Sequence, residues 1–176
     1  TLSLMLATKT SISEILISSA ISTMLLSFVS VVFGVSVLSL LLGLAWNGQK
    51  ILEFIFILIL AIFVATCFGF FISCLILLTT EIHLVTNTID KVLLIFTGAN
   101  FPVSNFPYLV EQFCYTLPLT RSILLAQKLI GGESVMSNIY LIRGELVLAF
   151  VFLILGIVLL KNIEKAAIKG SKLDLL

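Results

Sequence analysis

The chain has 176 residues, of which 60% are hydrophobic and 11% charged, and its mean hydropathy is +1.27. Soluble domains carry about 25% charged residues, so this composition excludes that class and indicates an integral membrane protein. The net charge of +1, with no basic cluster outside residues 161–176, excludes nucleic acid as a partner because phosphate binding needs concentrated Lys and Arg.

The first predicted span covers residues 15–45, after an amphipathic segment at residues 1–14. Ser11 and Glu14 have the spacing of a capping box, which predicts a helix that begins near Ile12. The uncharged stretch that follows exceeds the roughly 20 residues that cross a 30 Å hydrocarbon core. Small residues recur along one side of it, so another helix can approach closely. They are Ser19, Thr23, Ser27, Ser30 and Gly34.

The second predicted span covers residues 51–78. Trp46 marks a membrane interface, and an Asn-Gly turn follows it, so the first two spans should form a tight hairpin. Small residues stand at strict four-residue spacing in this span and predict a packing seam with another helix. They are Ala61, Ala65, Gly69 and Ser73.

The third predicted span covers residues 82–100 and contains two charged residues that are energetically unfavourable inside a membrane. Asp90 and Lys91 would lie near the middle of the membrane, where each ionic residue costs about 2.5 to 3.5 kcal/mol. Helical spacing places His83, Asn87, Asp90 and Thr97 on one side, which indicates a cavity or a subunit boundary. The alternative is a shorter helix that starts later, with Lys91 reaching the interface and Asp90 paired locally. We predict a substrate pathway at Asn87, Asp90, Lys91 and Thr97.

Residues 101–132 form a predicted outer block that is neither a clean span nor a tail. It contains all three prolines, which lack an amide hydrogen and disfavour helical geometry in the preceding residue, so the third span should stop near Asn100. Apolar residues at helical spacing between Pro107 and Pro118 predict a short interfacial or re-entrant helix. A second helical piece should run from Thr120 to Ile130.

The last predicted span covers residues 144–160, and residues 161–176 form a tail. Four lysines follow this span, and basic residues beside a span mark the cytoplasmic side. The carboxyl terminus should therefore be cytoplasmic, and an even number of spans places the amino terminus there as well. The predicted fold is an all-α polytopic membrane protein with about four transmembrane helices and an outer re-entrant helical block, in a single transmembrane domain.

One set of residues in and just before the outer block forms a pattern of its own, namely Gly98, Phe101, Pro102, Pro107, Tyr108, Leu117, Pro118, Leu119, Thr120 and Arg121. With these residues the block resembles the region between the last two spans of the permease subunit of type-2 ABC exporters. The opening, TLSLMLATKTSISEILIS, is similar to the cytoplasmic loop before the third span of that family. The two matches together resemble the carboxyl-terminal part of a permease without its first two spans.

The resemblance implies the membrane subunit of an ATP-driven exporter in the plasma (inner) membrane. It implies a dimer with a second permease subunit, identical or different, and contact with membrane lipid. A cytoplasmic P-loop ATPase would bind ATP and Mg²⁺, with no cofactor in this chain. Hydrophobic or amphiphilic drugs, lipids, peptides or saccharides would be moved outward. The expected ATPase-coupling residues are Leu4, Met5, Lys9 and Glu14.

Motifs for catalysis are missing from the sequence. It has no GxxxxGK[ST], no HExxH and no GxSxG, and His83 is its one histidine, so we predict no catalytic residue and no metal site. The expected role is therefore that of a transporter subunit. A secondary carrier, a channel or an assembly scaffold is the alternative, followed by an intramembrane enzyme using Glu81, His83 or Asp90.

Overall fold

The computed structural model describes residues 12–42, 47–79 and 81–173, and these residues form helices joined by turns and no strands. The predicted all-α class is confirmed. Two short 3₁₀ segments lie at Val103–Asn105 and Val135–Asn138. The α-helices are α1 (Ile12–Leu42), α2 (Gly48–Ile76), α3 (Ile82–Phe96), α4 (Tyr108–Cys114), α5 (Thr120–Ile130) and α6 (Ile139–Leu173).

Three helical stretches of the described chain are long and apolar enough to cross a membrane, namely Ile21–Leu41, Gly48–Ile76 and Val135–Ile163. The chain is therefore a multi-pass membrane protein. Helix α3 has 15 residues, which at 1.5 Å per residue is about 22 Å and falls short of a 30 Å hydrocarbon core. A fourth span at residues 82–100 stays a prediction.

The last helix is longer than the sequence suggested. It begins at Ile139 rather than at 144 and continues through the predicted tail to Leu173. The charged residues near its start do not end it, because Glu145 finds hydrogen-bond donors inside the protein. Its far end, residues 161–173, contains four Lys and two Ala, which are strong helix formers.

Helices α2 and α6 run parallel and form the centre of the fold. Their contacts advance in the same direction along both helices, from Phe63 against Phe150 (ring centroids 6.4 Å apart) to Phe68 against Phe152 (4.9 Å). Further along, Gly156 is buried against the Phe70 ring, so close that a β-carbon there would meet the ring at 2.6 Å. The missing side chain of Gly156 is what lets the two backbones approach.

Helix α5 packs against the middle of α2 and the first turns of α6. Its Leu125 and Leu129 are almost fully buried in the hydrophobic core. Burying a leucine stabilises a fold by about 1.5–3 kcal/mol, so these two side chains anchor the helix. The core residues that surround them on α2 and α6 include Ile57, Leu60, Val64, Leu141, Ile142 and Ala149.

The small residues of α1 and α2 face each other across a cavity of about 440 Å³. A β-carbon at Gly69 would meet no atom within 4 Å, so within the described chain the predicted seam is open rather than closed. Hydroxyl groups of Thr23, Thr66 and Ser73 donate to carbonyls of their own helices, which leaves an apolar wall. The cavity is lined by Ser19, Thr23, Ser27, Val31, Leu58, Ala61, Ile62, Ala65, Thr66, Gly69, Phe70, Ser73 and Leu119.

Candidate functional site

The most unusual backbone of the described chain lies in the turn between α4 and α5. The turn covers residues 115–119, and its Pro118 is almost fully buried. Leu119 has a φ of 72°, and no other non-glycine of the described residues has a positive φ. A residue with a β-carbon pays about 1–2 kcal/mol in this left-handed region, so surrounding contacts must hold Leu119 in place.

A carboxylate from another helix supplies that contact. The Leu119 amide donates to Oε1 of Glu145 at 2.8 Å, and the Ser122 hydroxyl donates to the same oxygen at 3.1 Å. No side chain from the turn itself caps α5, so Glu145 of α6 takes the role of the N-cap. Negative charge at a helix N-terminus is favourable because the exposed amides carry partial positive charge.

This capped turn is enclosed by the fold. Glu145 lies in the second turn of α6 and is 0% exposed, and Pro118 and Thr120 are almost fully buried. Non-helical backbone inside a membrane is tolerated only where protein or a water-filled cavity surrounds it. We define the turn and its two short helices, residues 108–130, as the hairpin, and a re-entrant course for it stays a prediction.

Arg121 covers the other side of the first turn of α5. Its guanidinium lies 5.8 Å from the centre of the Tyr115 ring, within range of a cation–π contact. The side chain also passes over Gly144, where a β-carbon would lie 2.7 Å from the Arg121 Nε. Gly144 thus provides the room in which the arginine lies beside Glu145.

The connection from α3 into the block depends on Gly98. Its φ of 86° suits glycine, and a β-carbon there would lie 2.8 Å from the buried Val103 side chain. Its carbonyl accepts a hydrogen bond from the Gln127 side-chain amide at 3.2 Å, which ties the connection to α5. Of the predicted outer motif, Phe101 and Pro102 are exposed, and Pro107 precedes α4. Leu117 is half-buried and Pro118 buried within the capped turn, and Arg121 follows that turn.

Polar contacts also fasten the 3₁₀ segment Val135–Asn138, which follows the hairpin, to α2 and to α5. The Glu53 carboxylate accepts from the Val135 amide at 2.9 Å, and Lys128 donates to Asn138 at 2.7 Å. Hydrogen bonds from Asn138, and next from Lys128, hold the pKa of Glu133 below its ordinary value of 4.5. A depressed carboxyl pKa stabilises the fold above that ordinary value, and the gain is lost as pH falls through the lowered pKa.

The structure separates the predicted pathway residues into two groups. Asn87, Asp90 and Lys91 are exposed on α3, a helix with no buried residue. Thr97 is only 4% exposed, and its hydroxyl donates to the Leu93 carbonyl at 2.6 Å. The Thr97 hydroxyl therefore hydrogen-bonds a carbonyl in the last turn of its own helix. The polar face of α3 consists of the exposed residues.

The predicted coupling residues fall at the edge of the described chain. Leu4, Met5 and Lys9 lie outside the described residues, as does Ser11 of the predicted capping box. Glu14 lies in the first turn of α1. Their role in coupling stays a prediction.

Sequence reasoning missed Glu145 and Ser122, which hold the turn of the hairpin, and Glu53, which holds Val135 beyond it. Glu145 was read as the edge of the last span, although it stands beside a long apolar run. An acidic residue in such a position needs an internal partner, and that is the signal that could have found it. The partner itself is 26 residues away in the chain.

Comparison with known proteins supplies a family. No curated protein and no solved structure matches the chain significantly. A model of the ABC-2 type transporter family matches residues 1–130, a range that contains α1 to α5 and ends before Glu145. The chain, a membrane permease, belongs to the ABC-2 type transporter family.

Proposed function

We propose that the chain is the membrane subunit of an ATP-driven exporter that moves a hydrophobic or amphiphilic substrate outward. Family membership supports the transporter role, and the match covers most of the chain. The sequence has no GxxxxGK[ST] motif, so we assign the ATPase, with its ATP and Mg²⁺, to a separate cytoplasmic subunit. The plasma (inner) membrane and cytoplasmic termini belong to the same proposal.

The observation that carries a transport pathway is the unburied polar face of α3. Asn87 and Asp90 are three residues apart and exposed, so they share one side of this helix. A carboxylate at membrane depth needs water, a partner helix or a second subunit to compensate its lost hydration. We propose that this face borders the pathway at the boundary with a second permease subunit.

Substitution of Asp90 tests this assignment. Asp90→Leu should lower export per assembled complex by about tenfold or more, which corresponds to about 1.4 kcal/mol in the transport barrier. Asp90→Asn keeps the shape and the hydrogen-bonding capacity, so it should stay partly active. ATP-dependent uptake of fluorescent amphiphiles into inverted membrane vesicles, normalised to the amount of assembled complex, measures both.

Thr88→Leu is the matched control for this experiment. Thr88 is exposed on α3 like Asp90, but two residues of helical rotation, about 200°, place it on another side. Its hydroxyl already donates to the Leu84 carbonyl at 2.7 Å, so the change should leave export near the wild-type level. Wild-type export by Asp90→Leu would remove Asp90 from the pathway.

Coupling to an ATPase can be tested at the amino-terminal segment. A segment at the cytoplasmic face that leads into a long helix can transmit a push along a rigid rod. Met5→Cys or Lys9→Cys should therefore crosslink to a P-loop ATPase co-expressed from a neighbouring reading frame. The exposed Asn105, proposed to lie outside, provides the control as Asn105→Cys and should give no crosslink.

The coupling assignment fails on a specific pair of results. If neither cysteine crosslinks, and a chain with residues 1–14 scrambled still exports at the wild-type level, the segment does not couple to the ATPase. The pathway assignment on α3 would be unaffected by that result, because it is measured by export alone.

A further inference from the structure

Helix α3 turns one side toward the rest of the described chain and leaves the opposite side uncovered. On the covered side, the centre of the Phe96 ring lies 5.7 Å from that of the Phe106 ring and 5.8 Å from that of the Phe113 ring. Half-buried residues recur at helical spacing along this side, namely Val85, Ile89, Val92 and Phe96. The fold therefore fixes which side of α3 points away from it.

The uncovered side contains four exposed residues, Asn87, Asp90, Lys91 and Leu94, which we define as the α3 face. Their spacing of i, i+3, i+4 and i+7 places them together on one side of a helix. Successive residues are rotated by about 100°, so Asp90 and Lys91 lie about 50° to either side of the line through Asn87 and Leu94. Neither charged side chain forms an ion pair or a hydrogen bond with another residue of the described chain.

A twofold axis would place each of these charges opposite the charge that it needs. Two copies inserted in a membrane with the same orientation can be related by a twofold axis only if that axis is parallel to the membrane normal. Equivalent residues of the two α3 helices then have the same height. When Asn87 and Leu94 face the axis, the Asp90 side of each helix faces the Lys91 side of its copy. One axis therefore creates two ion pairs between the copies.

The other two residues of the α3 face also match their own copies. The Asn87 amide both donates and accepts, so two such amides can hydrogen-bond each other across the axis. Leu94 meets a second leucine, and this contact removes apolar surface of both from other surroundings. A twofold interface requires this self-complementarity, because the same patch is used on both sides.

We propose that the chain forms a twofold homodimer through the α3 face, in which Asp90 of each copy pairs with Lys91 of the other. This inference rests on the proposed function, which places a second permease subunit at this side of α3 and leaves its identity open. The charge pattern of the face selects an identical subunit over a different one.

Charge reversal tests the proposal on two differently tagged copies of the full chain, co-expressed and purified in mild detergent. Asp90→Lys in both copies sets lysine against lysine twice, so the co-purified fraction should fall at least tenfold, and Lys91→Asp in both copies should do the same. One copy with Asp90→Lys and the other with Lys91→Asp should recover most of the wild-type fraction, because each lysine then faces an aspartate.

Thr88→Lys in both copies is the matched control. Thr88 is exposed on α3 but is rotated by about 200° from Asp90, outside the α3 face. Its co-purified fraction should stay within about twofold of the wild type. An equal loss in this control would overturn the proposal, because any added charge on α3 would then disturb assembly.

Three further results would each overturn the homodimer. They are a wild-type chain that does not co-purify with its own copy, single charge variants that co-purify like the wild type, and a mixed pair that does not recover. The pathway assignment is judged separately by export of Asp90→Leu. Lost export together with unchanged co-purification of the charge variants would keep the proposed function and reject this interface.

A cysteine on the α3 face gives a second measurement that needs no charge variant. Leu94→Cys should form a disulfide-linked dimer when membranes are treated with copper phenanthroline, because residues that face a twofold axis lie within disulfide reach of their copies. Thr88→Cys and the wild type should stay monomeric on the gel, since Cys67, Cys74 and Cys114 are buried. Absence of the Leu94→Cys dimer would overturn the proposal even if the charge variants failed to accumulate.

Discussion

Replacing Glu145 with leucine should lower the free energy of unfolding by about 2–6 kcal/mol, because each of two buried donors left without an acceptor costs about 1–3 kcal/mol. The donors are the Leu119 amide and the Ser122 hydroxyl. Denaturant titration of the chain in detergent micelles, followed by circular dichroism, measures the loss.

Two variants distinguish the loss of the hydrogen-bond acceptor from effects of side-chain volume and from the loss of a surface charge. Glu145→Gln keeps an oxygen acceptor for Leu119 and Ser122, so it should cost about 1 kcal/mol, as for one neutral hydrogen bond. Glu81→Leu removes an exposed carboxylate just before α3 and should change stability by less than about 0.5 kcal/mol. Equal stability of Glu145→Leu and wild type would show that the hairpin does not depend on this cap.

The second large effect concerns two glycines that should respond in opposite directions to alanine. Gly156→Ala should destabilise the chain by about 1–3 kcal/mol, because its β-carbon would lie 2.6 Å from the Phe70 ring and 3.4 Å from the Phe71 backbone. Gly69→Ala adds its β-carbon in open space, so the better helix propensity of alanine should stabilise by about 0.5–1 kcal/mol. Denaturant midpoints of the isolated chain give both values.

The same two variants also test the predicted packing of another helix against the small residues of α2. If another helix occupies the cavity in the assembled transporter, Gly69→Ala should reduce complex formation while stabilising the isolated chain. Blue native electrophoresis of membranes measures the assembled fraction. A Gly156→Ala variant as stable as the wild type would contradict the close approach of α2 and α6.

The sequence was sufficient for the class of fold and for helices whose ends are marked locally. Helix α5 has the predicted bounds, Thr120 to Ile130, because Pro118 precedes it and a glycine pair follows it. Its bounds depend on residues within a few positions of each end, which a single sequence displays directly.

The site could not be found in this way, because its parts are far apart in the chain. The cap of α5 comes from Glu145, 26 residues beyond Leu119, and nothing in the local pattern pairs them. Helix α6 begins five residues before the predicted span at residues 144–160, and the same distant contacts account for this. The charges of Arg143 and Glu145 suggest a membrane edge. In the fold, however, Glu145 is buried, and hydrogen bonds from an amide and a hydroxyl offset the free energy of its desolvation.

A re-entrant course of the hairpin would give the molecule an unequal cross-section along the membrane normal. Helix α5 packs against α2 and the amino-terminal half of α6, and we propose that the chain enters and leaves the membrane on the same side there. The hairpin would therefore displace lipid from one leaflet without a matching volume in the other. Any rearrangement that moves it toward water would change the area that the protein occupies in that leaflet, and would do work against lateral pressure. Lipid shape would thus be mechanically linked to the position of a turn that a single buried carboxylate holds.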